Sequence, residues 1–155
     1  MSKYPILSIR QPWTGVCVLG LKPVENRTRR IPEKYIGQTV LLHAGLQVDS
    51  NVVVKGYSVE ANAYRLVKRV MYHQGKVLFE NRIAGHEHVF NTGGIVGCCK
   101  FVKCVNDSES PWAERGAGIW HWCMVEARPL PFFPCKGMLG FFQVDYPYAV
   151  EVCDA

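Results

Sequence analysis

Arg10, Gln11, Lys22, Glu25 and Arg27 concentrate more polar, charge-bearing side chains into one short stretch than an ordinary strand–helix–strand unit needs. Arg10 and Gln11 lie where a first strand gives way to a helix. Lys22, Glu25 and Arg27 open the strand that follows, and only about ten residues intervene. The chain must return close by, so these groups converge. A carboxylate between two cations can act as a general base. It can also accept a hydrogen bond from an exocyclic amine, as carboxylates do from cytosine N4. Arg27 and Arg29 match phosphate in a two-pronged geometry. The plain alternative is that Glu25 only pairs with Arg27 or Lys22 to satisfy a buried charge.

The elements that must position these groups follow from the pattern around them. Tyr4 to Ile9 reads as a short strand, and Pro12 suits the first position of a helix, where its missing N–H costs nothing. Trp13, Val16, Cys17 and Gly20 follow at helical spacing, and Gly20 can end the helix in the left-handed conformation. Val24 to Arg30 reads as a second strand. Glu25, Arg27 and Arg29 share one of its faces, and Val24, Asn26 and Thr28 the other. Gln38 to Ala44 is a third strand with His43 near its end, and Ser58 to Tyr72 a core helix striped by Ala63, Leu66, Val67, Val70 and Met71. Residues 73–94 lack periodicity and read as a long loop. Strands follow over Gly94 to Val105, Gly118 to Arg128 and Leu139 to Asp145, separated by prolines. About six strands with two or three helices and no regular alternation predict one α+β domain with a curled sheet or barrel.

Composition agrees. The 155 residues are 48% hydrophobic and 20% charged, too apolar for disorder and suited to one domain. The net charge is +5. Seven basic side chains and two acidic ones within residues 1–45 account for all of it, leaving the rest neutral. Such a local excess fits an anion-binding surface, because screening confines its field to about 8 Å at physiological salt. The N-terminus has no apolar export core, and no apolar run reaches the roughly 20 residues needed to span a bilayer. An odd count of seven cysteines without an export signal predicts reduced thiols in the cytoplasm.

Other chemistry is weakly signalled. No C-x-x-C pair occurs, and His86-x-His88 alone is a poor metal signature, so neither a metal centre nor a cofactor is expected. A Cys123 and His43 pair is less expected than small buried thiols. Gly93-Gly94 opens a strand rather than a phosphate-cradling helix. Trp13, Trp120 and Trp122 offer stacking faces worth roughly 1–3 kcal/mol per base, although most tryptophans in a chain this size are core.

The run Leu-Ser-Ile-Arg-Gln-Pro-Trp at residues 7–13, followed by Gly20-Leu-Lys22-Pro-Val-Glu25-Asn-Arg27, resembles the signature of the ASCH domains, small β-barrels similar to the PUA RNA-binding domains. The resemblance extends to His43, to Gly94-Ile-Val-Gly97 and to Lys136-Gly137, with residues 48–91 least matched. It implies a PUA-like curled barrel whose cleft holds RNA or a modified nucleoside. Lys22 and Glu25 would be its catalytic pair, if it is catalytic. Arg10, Gln11, Trp13, Arg27, Arg29, His43 and Trp122 would line it. Family members include RNA-binding modules, candidate ribonucleases and N4-acetylcytidine amidohydrolases. In the bacterial amidohydrolases a threonine nucleophile stands three residues after the lysine, and here that place is Glu25. The branch with Gln-Pro-Trp and Val-Glu-x-Arg is the one similar to the domain in a transcription coactivator. The implied partner is RNA or a nucleoside, with no membrane and a monomeric chain. A protein-interaction domain is a third alternative.

Overall fold

The computed structural model describes residues 2–48 and 87–151. Six strands, β1 (Ser2–Gln11), β2 (Val24–Arg27), β3 (Thr39–Val48), β4 (Gly94–Val105), β5 (Trp120–Pro134) and β6 (Phe141–Tyr146), form one sheet in the order β2-β5-β4-β3-β1-β6. β1 and β3 run parallel, and every other pairing is antiparallel. The described helical structure is one six-residue helix, α1 (Trp13–Val18), and 3-10 turns at Glu33–Tyr35 and Glu87–Phe90. The expected core helix at Ser58 to Tyr72 lies outside the described residues, as does most of the 73–94 loop. The end of that loop is packed: Val89 and Phe90 are buried against α1.

The middle of the sheet is apolar on both faces, and the period of two sorts its residues, with a reset on β4 where its pairing with β5 shifts register between Ile95 and Lys100. Leu7, Leu42, Val96 and Cys99 join one cluster with α1, Phe101, Trp122 and Met124. Their neighbours Ile6, Leu41, Ile95 and Cys98 join a second with Leu130, Phe142 and Tyr146. The sheet curls toward the α1 side, so its two margins approach each other. Trp122 of β5 stacks on Phe141 of β6 at 5.9 Å, and the Arg27 Nη2 on β2 donates to the Ser8 carbonyl on β1 at 2.9 Å. Among the described residues, side chains rather than a further ladder join these margins. β6 leaves β1 after the Leu7–Phe141 pair, which frees the Ser8–Gln11 edge opposite β2.

α1 sits where the sequence places it, beginning one residue after Pro12. Its first N–H groups have no helical partner, and the Gln11 Oε1 takes one of them, from Gly15, at 3.1 Å. Gly20 ends it at φ 77°, as its lack of a Cβ allows. The helix reaches the sheet through Gly97, where a Cβ would come within 2.4 Å of Val18 Cγ1 and 2.5 Å of the Arg128 carbonyl. Gly97→Ala is therefore expected to cost about 1–3 kcal/mol, as overpacked cores do. A thermal melt by circular dichroism reads that loss.

β2 ends at Arg27 rather than Arg30, and β5 runs on to Pro134 rather than stopping at Arg128. Prolines 129, 131 and 134 fit because β2 pairs only with Trp120 to Cys123. Past that point β5 has β4 on one side and an open edge on the other, where a missing N–H is tolerated. No helix among the described residues is long and apolar enough to cross a membrane.

Candidate functional site

The turn after α1 returns the chain beside the free edge of β1. The Leu21 and Lys22 amides both donate to the Val16 carbonyl, at 3.0 and 3.2 Å, which fixes where β2 begins. The Lys22 side chain is buried; its Nζ donates to the Val24 carbonyl at 2.7 Å and lies 5.7 Å from the Trp13 ring centroid. Glu25 is buried on the same segment, with Oε1 3.9 Å from the Arg27 Nε. Its other oxygen, Oε2, is buried and has no hydrogen-bond partner among the described residues. The Arg27 guanidinium lies 5.6 Å from the Trp122 ring centroid while it bonds to the Ser8 carbonyl. Behind this group lies Cys17, whose thiol burial pushes up to about 12, with Lys22 and Arg27 pulling it down and Glu25 pushing it up. Cys17 is an inert wall.

The arrangement is a carboxylate with one spare oxygen, its other oxygen facing the Arg27 guanidinium, withdrawn from water on the segment that also carries Lys22. An unpaired buried acceptor costs about 1–3 kcal/mol, and more when charged. A ligand N–H placed against Oε2 recovers that cost.

The other residues expected in the site divide into two groups. Trp13 is half-buried beside Lys22, and Arg10 and Arg29 are exposed at the ends of the strands that frame the gap. Gln11, His43 and Trp122 are instead committed within the fold. The Gln11 Nε2 donates to the carbonyls of Val89 at 2.7 Å and Asn91 at 2.8 Å, so Gln11 ties α1 to the Glu87–Phe90 turn. His43 shares the sheet face of Ile6 and Leu41 and packs edge-on against Phe142. A carbonyl only accepts, so the His43 Nε2–H donates to Cys135 O at 2.8 Å. Nδ1 then accepts from the Ser8 hydroxyl at 2.8 Å. Trp122 is buried, and its Nε1 donates to the Arg29 carbonyl at 2.9 Å. Arg30 covers Trp120, with its guanidinium 4.7 Å from the ring centroid.

Two further residues adjoin this segment and carried no local signal. Trp112 meets Trp13 edge to face at 6.2 Å. Asn26, between Glu25 and Arg27, donates from Nδ2 to the Trp112 carbonyl at 3.0 Å and accepts from the Glu114 amide at 3.0 Å. Sequence alone separates Asn26 from Trp112 by 86 residues.

Among the described residues no group of three or more His, Cys, Asp or Glu side chains is arranged to hold a metal ion. His88 bonds to the Leu130 carbonyl, and His86 lies outside the described residues. The Cys123 thiol is pushed up by burial and faces the His121 carbonyl.

No family model matches the chain, and no curated protein matches it. Among solved structures it is similar to an ASCH protein from Zymomonas mobilis at 12% identity. That match covers 84% of this chain and 73% of the other, with a TM-score of 0.46. A mutant form of the same protein is matched at equal identity and score, over 86% and 76%.

Proposed function

We propose that this chain binds a single unpaired base of RNA, or a modified nucleoside, in the gap between β1 and β2. The observation that carries this reading is the buried, unpartnered Glu25 Oε2. It calls for a donor such as the exocyclic amine of cytosine or adenine. The Arg27 guanidinium lies beside the carboxylate, and exposed Arg10 and Arg29 supply cations at the rim where phosphates flank a bound base. Binding is preferred to hydrolysis because position 25 offers no hydroxyl nucleophile.

Calorimetric titration with nucleosides tests the reading. Cytidine or adenosine is expected to bind about 10- to 150-fold more tightly than uridine, the worth of one hydrogen bond to a charged group. Uridine binding equally well sinks it. With a short single-stranded RNA, three or four phosphate contacts give a log–log salt slope of about −2 to −3, at −0.7 per contact. Arg29→Ala is expected to flatten that slope by about one contact's share, and Lys103→Ala, an exposed change on β4, to leave it alone.

A further inference from the structure

The Ser108–Glu114 turn is held more tightly than a surface connection requires. Asn26 and His121 are directly opposed across β2 and β5, and both reach into it. The Asn26 amide presents a donor and an acceptor, as a peptide unit does, and bonds the turn at Trp112 O and Glu114 N. The His121 Nδ1 accepts from the Ser108 amide at 3.2 Å, which fixes the tautomer. Its Nε2–H therefore donates to the Glu114 carbonyl at 2.7 Å. The turn's own serines complete it: the Ser108 hydroxyl accepts from Ser110 N and the Ser110 hydroxyl from Trp112 N, each at 3.2 Å. His121 is buried, and the Trp112 side chain at the apex stays half-buried beside Trp13.

Alternation along β2 gives this clamp its meaning. Glu25 and Arg27 point to one face of the strand while Asn26 points to the other. One four-residue strand thus sets the carboxylate and, through Asn26, the indole of Trp112 in fixed register. We infer that Trp112 is the stacking wall of the site and that Asn26 is its positioning residue. Together they give the Glu25 edge its specificity for a planar, unpaired base. Lys22 already engages the Trp13 ring, and Trp13 in turn steadies the Trp112 indole edge to face. The ordering entropy of a flexible loop is avoided, because the clamp holds the wall before ligand arrives. This inference rests on the nucleobase reading.

Two measurements test it, one of them independent of any ligand. The Trp13–Trp112 pair, 6.2 Å apart, is expected to give an exciton couplet in circular dichroism that Trp112→Ala abolishes. Asn26→Ala is expected to diminish the couplet while thermal unfolding stays cooperative. Cytidine affinity is expected to fall about 5- to 150-fold in Trp112→Ala, the worth of one stacked base. In Asn26→Ala it is expected to fall about 5- to 150-fold, the worth of two ordinary hydrogen bonds. A couplet and an affinity both unchanged in Asn26→Ala overturn the positioning role. Wild-type binding that Trp112→Ala leaves intact overturns the wall alone. Wild-type protein that binds neither cytidine nor adenosine takes down the nucleobase reading and this inference with it. If Asn26→Ala does not fold, Trp112→Ala still decides.

Discussion

Glu25→Gln is expected to lower cytidine affinity by about 10- to 150-fold while leaving the melting temperature at or above that of the wild-type protein. Both effects come from Oε2. In the free protein this oxygen is buried with no partner among the described residues, so its desolvation is an uncompensated cost. The amide of Gln keeps the size of the side chain and removes the charge, which relieves that cost. In the complex the same oxygen accepts the amine of the base, and a neutral acceptor does so about half as strongly. Stability and binding therefore move in opposite directions. A residue that served only as a structural ion pair gives the reverse, with lost stability and unchanged affinity. The same variant separates binding from turnover. An enzyme using Glu25 as general base loses about 10²–10⁴ in rate of N4-acetylcytidine hydrolysis, whereas a binding module has no rate to lose.

Arg27→Ala is expected to be the most destabilising single change in the site, by about 3 kcal/mol. Three roles end together. The Ser8 carbonyl, on the β1 edge that β6 leaves free, loses its donor. The Trp122 ring loses the guanidinium beside it. Glu25, whose side chain is only 10% exposed, is left with no cation at its Oε1. The last is the costliest, since removing one partner strands a buried charge. A loss of this size lowers the melting temperature by about 6–12 °C in a domain near this length. The double change Arg27→Ala with Glu25→Gln is expected to recover about half of it, because the stranded charge is gone. A double variant no more stable than Arg27→Ala alone assigns the loss to the β1–β2 bridge instead.

The site's charged residues were legible because they lie within one short segment. A strand, a helix closed by Gly20 and a returning strand leave Lys22, Glu25 and Arg27 nowhere else to go. β4 was legible to the residue, since an apolar run bounded by glycine and polar sequence sets its ends. β5 was not, because its prolines read as breakers until the open edge beside them is seen. Gln11, His43 and Trp122 were singled out by their chemical types, yet their hydrogen bonds go to carbonyls far along the chain. Trp112 escaped for the complementary reason. Its place is set by the β2–β5 pairing and by an asparagine whose local context is that of an ordinary strand residue. The second cluster, with α1 excluded from it, also arises only from strand order.

The pairing of β1 with β6 has a kinetic consequence. Synthesis delivers β1 first, and its antiparallel partner comes after every other described strand. Phe141, which supports both Trp122 and Tyr35 by stacking, arrives with that last strand. Until then the Ser2–Leu7 edge of β1 is open, and Trp122 lacks the ring it stacks on. Contacts this distant in sequence fold slowly, on the order of milliseconds to seconds. A ribosome-bound chain that ends before residue 141 is therefore expected to leave the β1 edge uncovered, where unpaired apolar strand favours aggregation.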